Sequence, residues 1–455
     1  DTRYHVSLRH ENYSSMYVYP RAHHIVHISI LSGTSYSAFK YREYRLFWMA
    51  AAFSNIGMWS LVYGRLFLMR TLTGSEVMLG LVATANLAPV LIFSMWGGVL
   101  ADRFNRLKIV RFTRLMFAVA TFGTGILIQS GAVEPWHILV ISSVTGTLLA
   151  FDIPSRSAMV ASIVPKDHLG GAIALYSIVF GAAAIIGPIL IEPLVSNWGL
   201  EGLFYIIGGS YVLTVITLFM MQTKGHKVTA TTRTALAGLI EGFAYLKQQR
   251  SIFSVILLGI TLGVFGTSFD TLLPVFTDEI FQGGLEVYGQ LLLGVGIGGL
   301  IATIAITLIG NRIRPALYLT VGGIGLGAAQ IVFAQTNVLD LAIIVAGVIG
   351  GFKVLMGTMN TTVVQTLVDE EFRGRVLSIN QLTWGASALG GLLMGYLAQR
   401  FDAPFAMTLG GSVAIIATLY VGQSLLRSFG LGSQPNVINK PAQENTRDNK
   451  PQSTS

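Results

Sequence analysis

Three ionisable residues stand alone inside long apolar runs of this chain: Arg65, Asp270 and Lys353. A fourth position carries an acid and a base one helical turn apart, Asp152 and Arg156, a spacing that lets them pair. A charge at the centre of an apolar span costs roughly 3 kcal/mol, so such residues are held there by a partner or by a task. The chemistry open to them is the making and breaking of ion pairs and the uptake and release of a proton. No nucleophile–base constellation accompanies them. The chain has no cysteine, which removes thiol nucleophiles, disulfides and zinc–thiolate sites. Its glycine run, Gly294-Val295-Gly296-Ile297-Gly298-Gly299, follows no strand and carries no phosphate-binding lysine, so it reads as a helix-packing surface. We therefore expect no enzyme, no catalytic residue, no cofactor and no metal centre. His23, His24 and His27 read as a solvated cluster in a tail.

Each isolated charge has two readings. Arg65 and Asp270 lie about 19 residues into the first and seventh apolar segments, which are counterparts in the two halves of the chain. As an ion pair near the outer end of a central cavity they would bind a charged group of a cargo or hand a proton to Asp270. Otherwise Arg65 snorkels to the headgroups and Asp270 lies beyond a shorter helix. Lys353 falls in the inner half of the tenth segment with no acid on its face within one turn, and either attracts an anionic cargo or reaches an inner headgroup. Glu192 stands at the outer end of the fifth segment, at the water boundary. Asp152 and Arg156 sit near the inner end of the fourth segment, close to the loop that carries Asp102, Arg103, Arg106 and Lys108. We read this set, with Gly98, Arg373 and Arg375, as an inner gate whose charges pair when that side closes. The alternative is an interfacial anchor with no gating duty.

These residues need elements to hold them, and the composition says which. The chain of 455 residues is 52% hydrophobic and 11% charged, with a mean hydropathy of +0.63. Soluble domains carry roughly 25% charged residues, so this one lacks polar surface for water on all sides. Apolar segments of spanning length fall at 46–70, 78–101, 110–131, 136–158, 170–194 and 200–222, then at 252–276, 286–309, 315–335, 339–362, 374–398 and 403–426. The expected architecture is an all-α membrane protein of about twelve spans in two pseudo-symmetric six-helix bundles. Its parts are a tail at 1–38, a bundle at 39–222, a connector at 223–251, a second bundle at 252–427 and a disordered tail at 428–455. Lysines and arginines crowd the loops of one side, among them Arg103, Arg106, Lys108, Arg111, Arg114, Arg373 and Arg375. The short loops of the other side carry Arg70 and Arg400 among acids such as Glu76, Asp278 and Glu279. The positive-inside rule then puts both termini and the connector in the cytoplasm. The net charge of +8 is thus a mark of topology, and no nucleic-acid partner is expected.

An internal repeat supports two related halves. Val164-Pro165-Lys166-Asp167-His168-Leu169-Gly170-Gly171 aligns with Val368-Asp369-Glu370-Glu371-Phe372-Arg373-Gly374-Arg375, and the same register matches Gly181 with Gly385 and Gly187 with Gly391. Such halves facing a cavity permit alternating access by rocking. Gly187-Pro188 predicts a kink in the fifth helix, because proline removes a backbone donor.

The stretch Gly98-Val99-Leu100-Ala101-Asp102-Arg103-Phe104-Asn105-Arg106-Leu107-Lys108 resembles the loop between helices 2 and 3 of the major facilitator superfamily. Glycine is frequent in that family where Asn105 stands, and asparagine also tolerates a left-handed turn. The opening Phe39-Lys40-Tyr41-Arg42-Glu43-Tyr44-Arg45 with Leu72-Thr73-Gly74-Ser75, the segment Phe151-Asp152-Ile153-Pro154-Ser155-Arg156, and Phe372-Arg373-Gly374-Arg375 resemble bacterial carriers of the enterobactin-exporter and macrolide-efflux type. The resemblance implies a proton- or ion-driven exporter in a bacterial plasma membrane, with the lipid bilayer, a hydrophobic or amphipathic small molecule and protons as partners, acting as a monomer. The chain departs from the exporters' pattern at Ile191 and Glu192, where further glycine is usual. It also lacks the arginine many of them place in helix 4, where Trp136 to Thr147 offers His137 alone. Within the same fold, the readings next in line are a lysophospholipid flippase and an organic-ion importer. A non-transporting receptor or scaffold is the reading from another class.

Overall fold

The computed structural model describes residues 35–222, 235–266, 269–309, 315–369, 372, 376, 379–380 and 382–429. A 3-10 turn, Ser35–Lys40, leads into α1 (Arg42–Thr73), α2 (Glu76–Arg103), α3 (Arg106–Gln129), α4 (Pro135–Ile163), α5 (Lys166–Ile189) and α6 (Ile191–Phe219). After α7 (Ala235–Gln248) come α8 (Arg250–Phe265), α9 (Phe269–Val275) and a π-helical turn, Phe276–Ile280. These are followed by α10 (Gly284–Ile309), α11 (Pro315–Ala334), α12 (Leu339–Leu367), α13 (Leu382–Arg400) and α14 (Ala403–Phe429). Among the described residues, eleven helical stretches are long and apolar enough to cross a membrane, with α8, α9 and the π turn forming one of them. The predicted span 374–398 is described as helix from Leu382 onward and is not among the eleven. The expected tails lie mostly outside the described residues, as do His23, His24 and His27. The first tail nevertheless ends early: Ser35–Lys40 is ordered, Ala38 is buried and Ser37 bonds the His168 ring at 2.5 Å.

The packing repeats. In the first half α2 lies on α4, α3 on both α4 and α6, and α1 on α5 and α6. In the second half α10 lies on α12, α11 on α12 and α14, and α8 on α13 and α14. The halves meet through two matching contacts, α5 with α10 and α2 with α13. Small residues make these crossings close. A Cβ at Gly298 would run into the Gly347 carbonyl, and one at Gly80 into the backbone of Gly391, so glycine is what lets those backbones approach. The glycine run of α10 is thus a packing surface, as expected. Gly98 has open space where its Cβ would be, whereas the neighbouring Gly97 is pressed on the Ala150 carbonyl.

Three local features shape the chain near the functional residues. Asn105 has φ −65° and ψ 111°, so the left-handed turn does not occur. Its side chain instead caps α3 by accepting from the amides of Leu107 and Lys108 at 3.0 and 3.3 Å. Pro188 lies inside α5, which ends at Ile189; after Leu190 the chain continues helically to Gly199, whose φ of 70° ends that line and starts the sixth span. Gly187 serves packing here, pressed against Ile56 to Ser60 of α1, with the Ser60 hydroxyl donating to its carbonyl at 2.8 Å. At the end of α8, the Gln330 amide donates to the Gly266 carbonyl at 2.6 Å, satisfying a group left free where the helix breaks.

We call the end that holds the start of α1 and the end of α14 the near end, and the opposite one the far end. The core is divided accordingly. One apolar cluster at the far end draws on both halves, with Tyr63, Phe67, Phe204 and Tyr211 from the first and Phe269, Phe276, Tyr288 and Phe333 from the second. At the near end there are two clusters. One holds residues from Ala38 to Met221, the other from Leu246 to Leu425, and neither crosses between the halves. The connector helix α7 belongs to the second cluster. Its Tyr245 stacks on Phe372 at 4.5 Å and its phenol donates to Asp369 at 3.3 Å. Burial pushes that phenol up from its ordinary value, so it stays a donor at neutral pH.

Two glycines separate packing from propensity. Gly298→Val should destabilise the protein by about 1–3 kcal/mol through overlap with α12. Gly123→Ala, on an open face of α3, should be neutral or stabilising by up to about 1 kcal/mol. Thermal unfolding of the purified variants in detergent checks both.

Candidate functional site

Buried charge in the first half is concentrated on α3 and α4. Asp152 is fully buried and receives three donors: the Arg114 guanidinium, the Thr113 hydroxyl at 2.9 Å and Arg156 Nε at 3.4 Å. Arg156 also donates to Asn55 Oδ1 at 3.1 Å and lies 5.8 Å from the Tyr176 ring, while Arg114 rests over the Phe117 ring at 5.4 Å. The i,i+4 pair expected from the sequence is present. Its place is the interior of the first half, and Arg114, read from the sequence as an inner-loop base, is its main partner. Eight residues into α3, Arg114 is about 12 Å deep along the helix, and its place inside the predicted span 110–131 was the signal available.

The loop set expected to join this network stays apart from it among the described residues. Arg103 and Lys108 are exposed, and Arg106 donates to the carbonyls of Ala101 and Ala158, each at 3.2 Å. The side chain of Asp102, and Arg373 and Arg375 altogether, lie outside the described residues.

Arg65 and Asp270 do not pair. Arg65 is 3% exposed and donates to the Thr145 hydroxyl on α4 at 2.8 Å. Asp270 instead meets Lys353, Nζ to Oδ2 at 2.5 Å, with the two side chains about one-fifth exposed. The sequence placed Lys353 nine residues from the inner end of a helix ending at 362. In fact α12 runs on to Leu367, and Lys353 is its central residue. Over this extension Thr361, Thr362 and Thr366 satisfy their hydroxyls within the helix by donating back to the carbonyls four residues earlier. A lysine at the midpoint of a span cannot reach either headgroup region, and a carboxylate from α9 supplies the partner its own helix lacks. Tyr63 and Tyr288 stand beside Asp270, the Tyr63 phenol near enough to donate to its carboxylate, and the second carboxylate oxygen, Oδ1, is buried.

The far end carries a cluster the sequence reading left unassembled. Arg70, at the end of α1, is 7% exposed and binds Asp278 Oδ2 at 2.9 Å, Glu279 Oε1 at 2.7 Å, Glu76 Oε1 at 3.0 Å and the Gly74 carbonyl at 2.6 Å. Asp278 and Glu279 belong to the π turn of the second half, so these bridges tie the halves together. All four residues stood in the short, acid-rich loops of one side, which was the signal for a cluster. Below it the Ser75 hydroxyl donates to Gln399 at 3.2 Å, Thr84 to the Ala388 carbonyl at 2.6 Å and Tyr288 to the Tyr63 carbonyl at 3.4 Å, and Phe67 stacks on Tyr288 at 5.6 Å. Glu192 is half-buried in this contact, its carbon chain against Gly289 of α10.

The fold and this arrangement define a two-bundle membrane transporter. A solved structure with the same fold, a bacterial homolog to the human lysosomal transporter Spinster in an inward-facing and unoccupied conformation, superposes with a TM-score of 0.64 at 14% identity, covering 87% of this chain and 98% of that one. The transmembrane secretion effector model of the major facilitator superfamily matches residues 33–446, and the chain belongs to that family. It is similar to the staphyloferrin A transporter of Staphylococcus aureus (strain NCTC 8325 / PS 47), 26% identical over 80% of this chain and 91% of the relative. It is also similar to macrolide efflux protein A of Streptococcus pyogenes, 21% identical over 84% and 95%. The chain is therefore a multi-pass membrane transporter and not an enzyme.

Removing the Asp152 carboxylate would leave Arg114 and Arg156 buried without their counter-charge. Asp152→Asn should destabilise the protein by about 3–5 kcal/mol, and the pair Asp152→Leu with Arg114→Met should recover part of that loss. Thermal unfolding in detergent measures both.

Proposed function

We propose that the protein is a monomeric, proton-coupled exporter of an amphipathic small molecule, working by alternating access in a bacterial plasma membrane with both termini in the cytoplasm. The observation that carries this reading is the Asp270–Lys353 pair, held at mid-depth, partly exposed, beneath a far end closed by contacts between the halves. The near end has separate cores in the two halves, so that exposure opens towards the near side, which the positive-inside rule makes cytoplasmic.

In this reading cargo enters from the near side and meets the pair. When the far side is open and cargo has left, Lys353 withdraws and Asp270 takes a proton from that side. When the near side opens again, Lys353 returns to Asp270 and the proton leaves to the cytoplasm, so cargo and proton cross in opposite directions. An ion pair that forms in one state and breaks in the other thereby links cargo to proton, each biasing the same two-state equilibrium. The names of the relatives, a siderophore transporter and a macrolide efflux protein, support a cargo of that size and mixed polarity and support export.

The test is proton flux in everted membrane vesicles carrying the full chain. Addition of a transported compound to energised vesicles should discharge the pH gradient with the natural protein. Asp270→Asn should abolish the discharge while the protein still inserts and binds cargo. Gradient loss unchanged in Asp270→Asn would remove Asp270 as the coupling site. No response to siderophores, macrolides or lipophilic cations would favour the flippase or scaffold alternatives.

A further inference from the structure

The buried polar atoms that lack a partner are distributed unevenly between the halves. In the first half they are Asn55 Nδ2, Trp59 Nε1, Arg65 Nε and Nη2, Arg114 Nη1, and the hydroxyls of Ser142 and Tyr211; every one of them can donate. In the second half Asp270 Oδ1, Gln330 Oε1 and Asn380 Oδ1 can accept but not donate, and the Thr418 hydroxyl can do either. A donor buried without an acceptor costs about 1–3 kcal/mol, and more when charged. Such a cluster on one side of a transporter is a binding surface for acceptors.

The charge points the same way. Arg65, Arg114 and Arg156 are all buried in the first half, and Asp152 is its one buried carboxylate among the described residues. Arg114 and Arg156 both engage Asp152, whereas Arg65 has the Thr145 hydroxyl and no acid. Thr145 is already an acceptor for Asn86 at 3.4 Å, and it neutralises nothing. Tyr211 lies within electrostatic reach of Arg65, Arg114, Asp152 and Arg156, and Ser142 is one turn before Thr145 on α4. Arg65 thus keeps one edge of its guanidinium, Nε and Nη2, without a partner, with the hydroxyls of Thr145 and Tyr211 nearby. This is the geometry that receives a carboxylate or another planar or compact anion. Arg65 stands eight residues from the far end of α1 and Asp270 ten residues from the end of the π turn, so the two are at similar depth on opposite halves.

We propose that the first half contains an anion-binding site in which Arg65 Nε and Nη2, with the hydroxyls of Tyr211 and Ser142, hold an anionic group. That group is a carboxylate of the cargo or a free inorganic anion. The inference rests on the transport reading for its place in the cycle, not for the binding itself. With a cargo carboxylate at Arg65, the opposite end of the same molecule faces the Asp270–Lys353 pair, and a cationic cargo is disfavoured at the first half by three guanidiniums.

The test uses the purified full chain in nanodiscs of neutral phosphatidylcholine, with binding read by calorimetry. Three probes are titrated: citrate as a compact carboxylate, sodium chloride, and uncharged triethyl citrate. Saturable binding of an anion, absent for the ester, is expected, with affinity falling at least tenfold in Arg65→Gln and less in Arg65→Lys and Tyr211→Phe. Citrate binding that chloride does not displace assigns the site to cargo, and chloride binding with the same dependence on Arg65 assigns it to a free ion. Absence of saturable binding by either anion overturns the proposal. So does equal binding of the ester, or an affinity unchanged in both Arg65 variants when these melt like the natural protein. The two readings fail separately: Arg65-dependent binding without any proton flux leaves this site standing alone, and flux with binding unaltered in the Arg65 variants leaves the exporter without it.

Discussion

A charge taken out of water into an apolar bundle has to be matched, and here the direction of the matching decides what can move. Among the described residues, every deeply buried ion pair stays within one half: Asp152 with Arg114 and Arg156 in the first, Asp270 with Lys353 in the second. Arg70 makes ion pairs that cross between the halves, and they lie at the far end. Each half is thus tied internally, while the joint between them is concentrated at one end.

The magnitudes suit that division. Asp152 is inaccessible to water, so separating it from its guanidiniums is a change of several kcal/mol. Asp278 and Glu279 are 37% and 50% exposed, and pairs with that much access to water are worth about 0–1 kcal/mol each. The far-end bridges can therefore break within a working cycle, while the pairs of the fully buried Asp152 are too costly to separate. The glycine contacts between α2 and α13 and between α5 and α10 add close backbone packing beside the shared apolar cluster, which has to part when the far end opens. The midpoint pair Asp270–Lys353 is intermediate in exposure, as a site that responds to cargo or proton needs to be.

Much of this was legible in the residues. Hydropathy and loop charge carry the spans, the repeat and the register of the two halves, because lipid forces helices and helices of fixed rise need about 20 apolar residues each. The motif around Asp102 and the segments near Asp152 and Arg373 carry the family. Partner choice was less legible. Arg65 and Asp270 occupy equivalent depths in counterpart helices, yet depth along a helix does not say towards which neighbour a side chain turns. Arg65 faces α4, and Lys353 reaches Asp270 from a helix whose length was underestimated because its last turns are rich in threonine. Arg114 was obscured by its neighbours Arg106, Lys108 and Arg111, which share its helix and remain at the boundary. The Arg70 cluster needs two connections from opposite halves brought together, and no spacing within one segment encodes that.

We propose that the halves rock about a mid-depth site, with the far end closed in the conformation described. The chain has no cysteine, so spin labels can be placed without background. One pair at Ser75→Cys and Gln399→Cys reports the far end, and a second at Asp167→Cys and Thr366→Cys reports the near end. Electron–electron resonance distances would be measured in nanodiscs with and without a transported compound, at low and high pH. Rocking predicts opposite changes, the far-end distance lengthening as the near-end distance shortens, with Asp270→Asn altering the balance between the two populations. Distances that stay fixed under every condition, or that lengthen together, would contradict it.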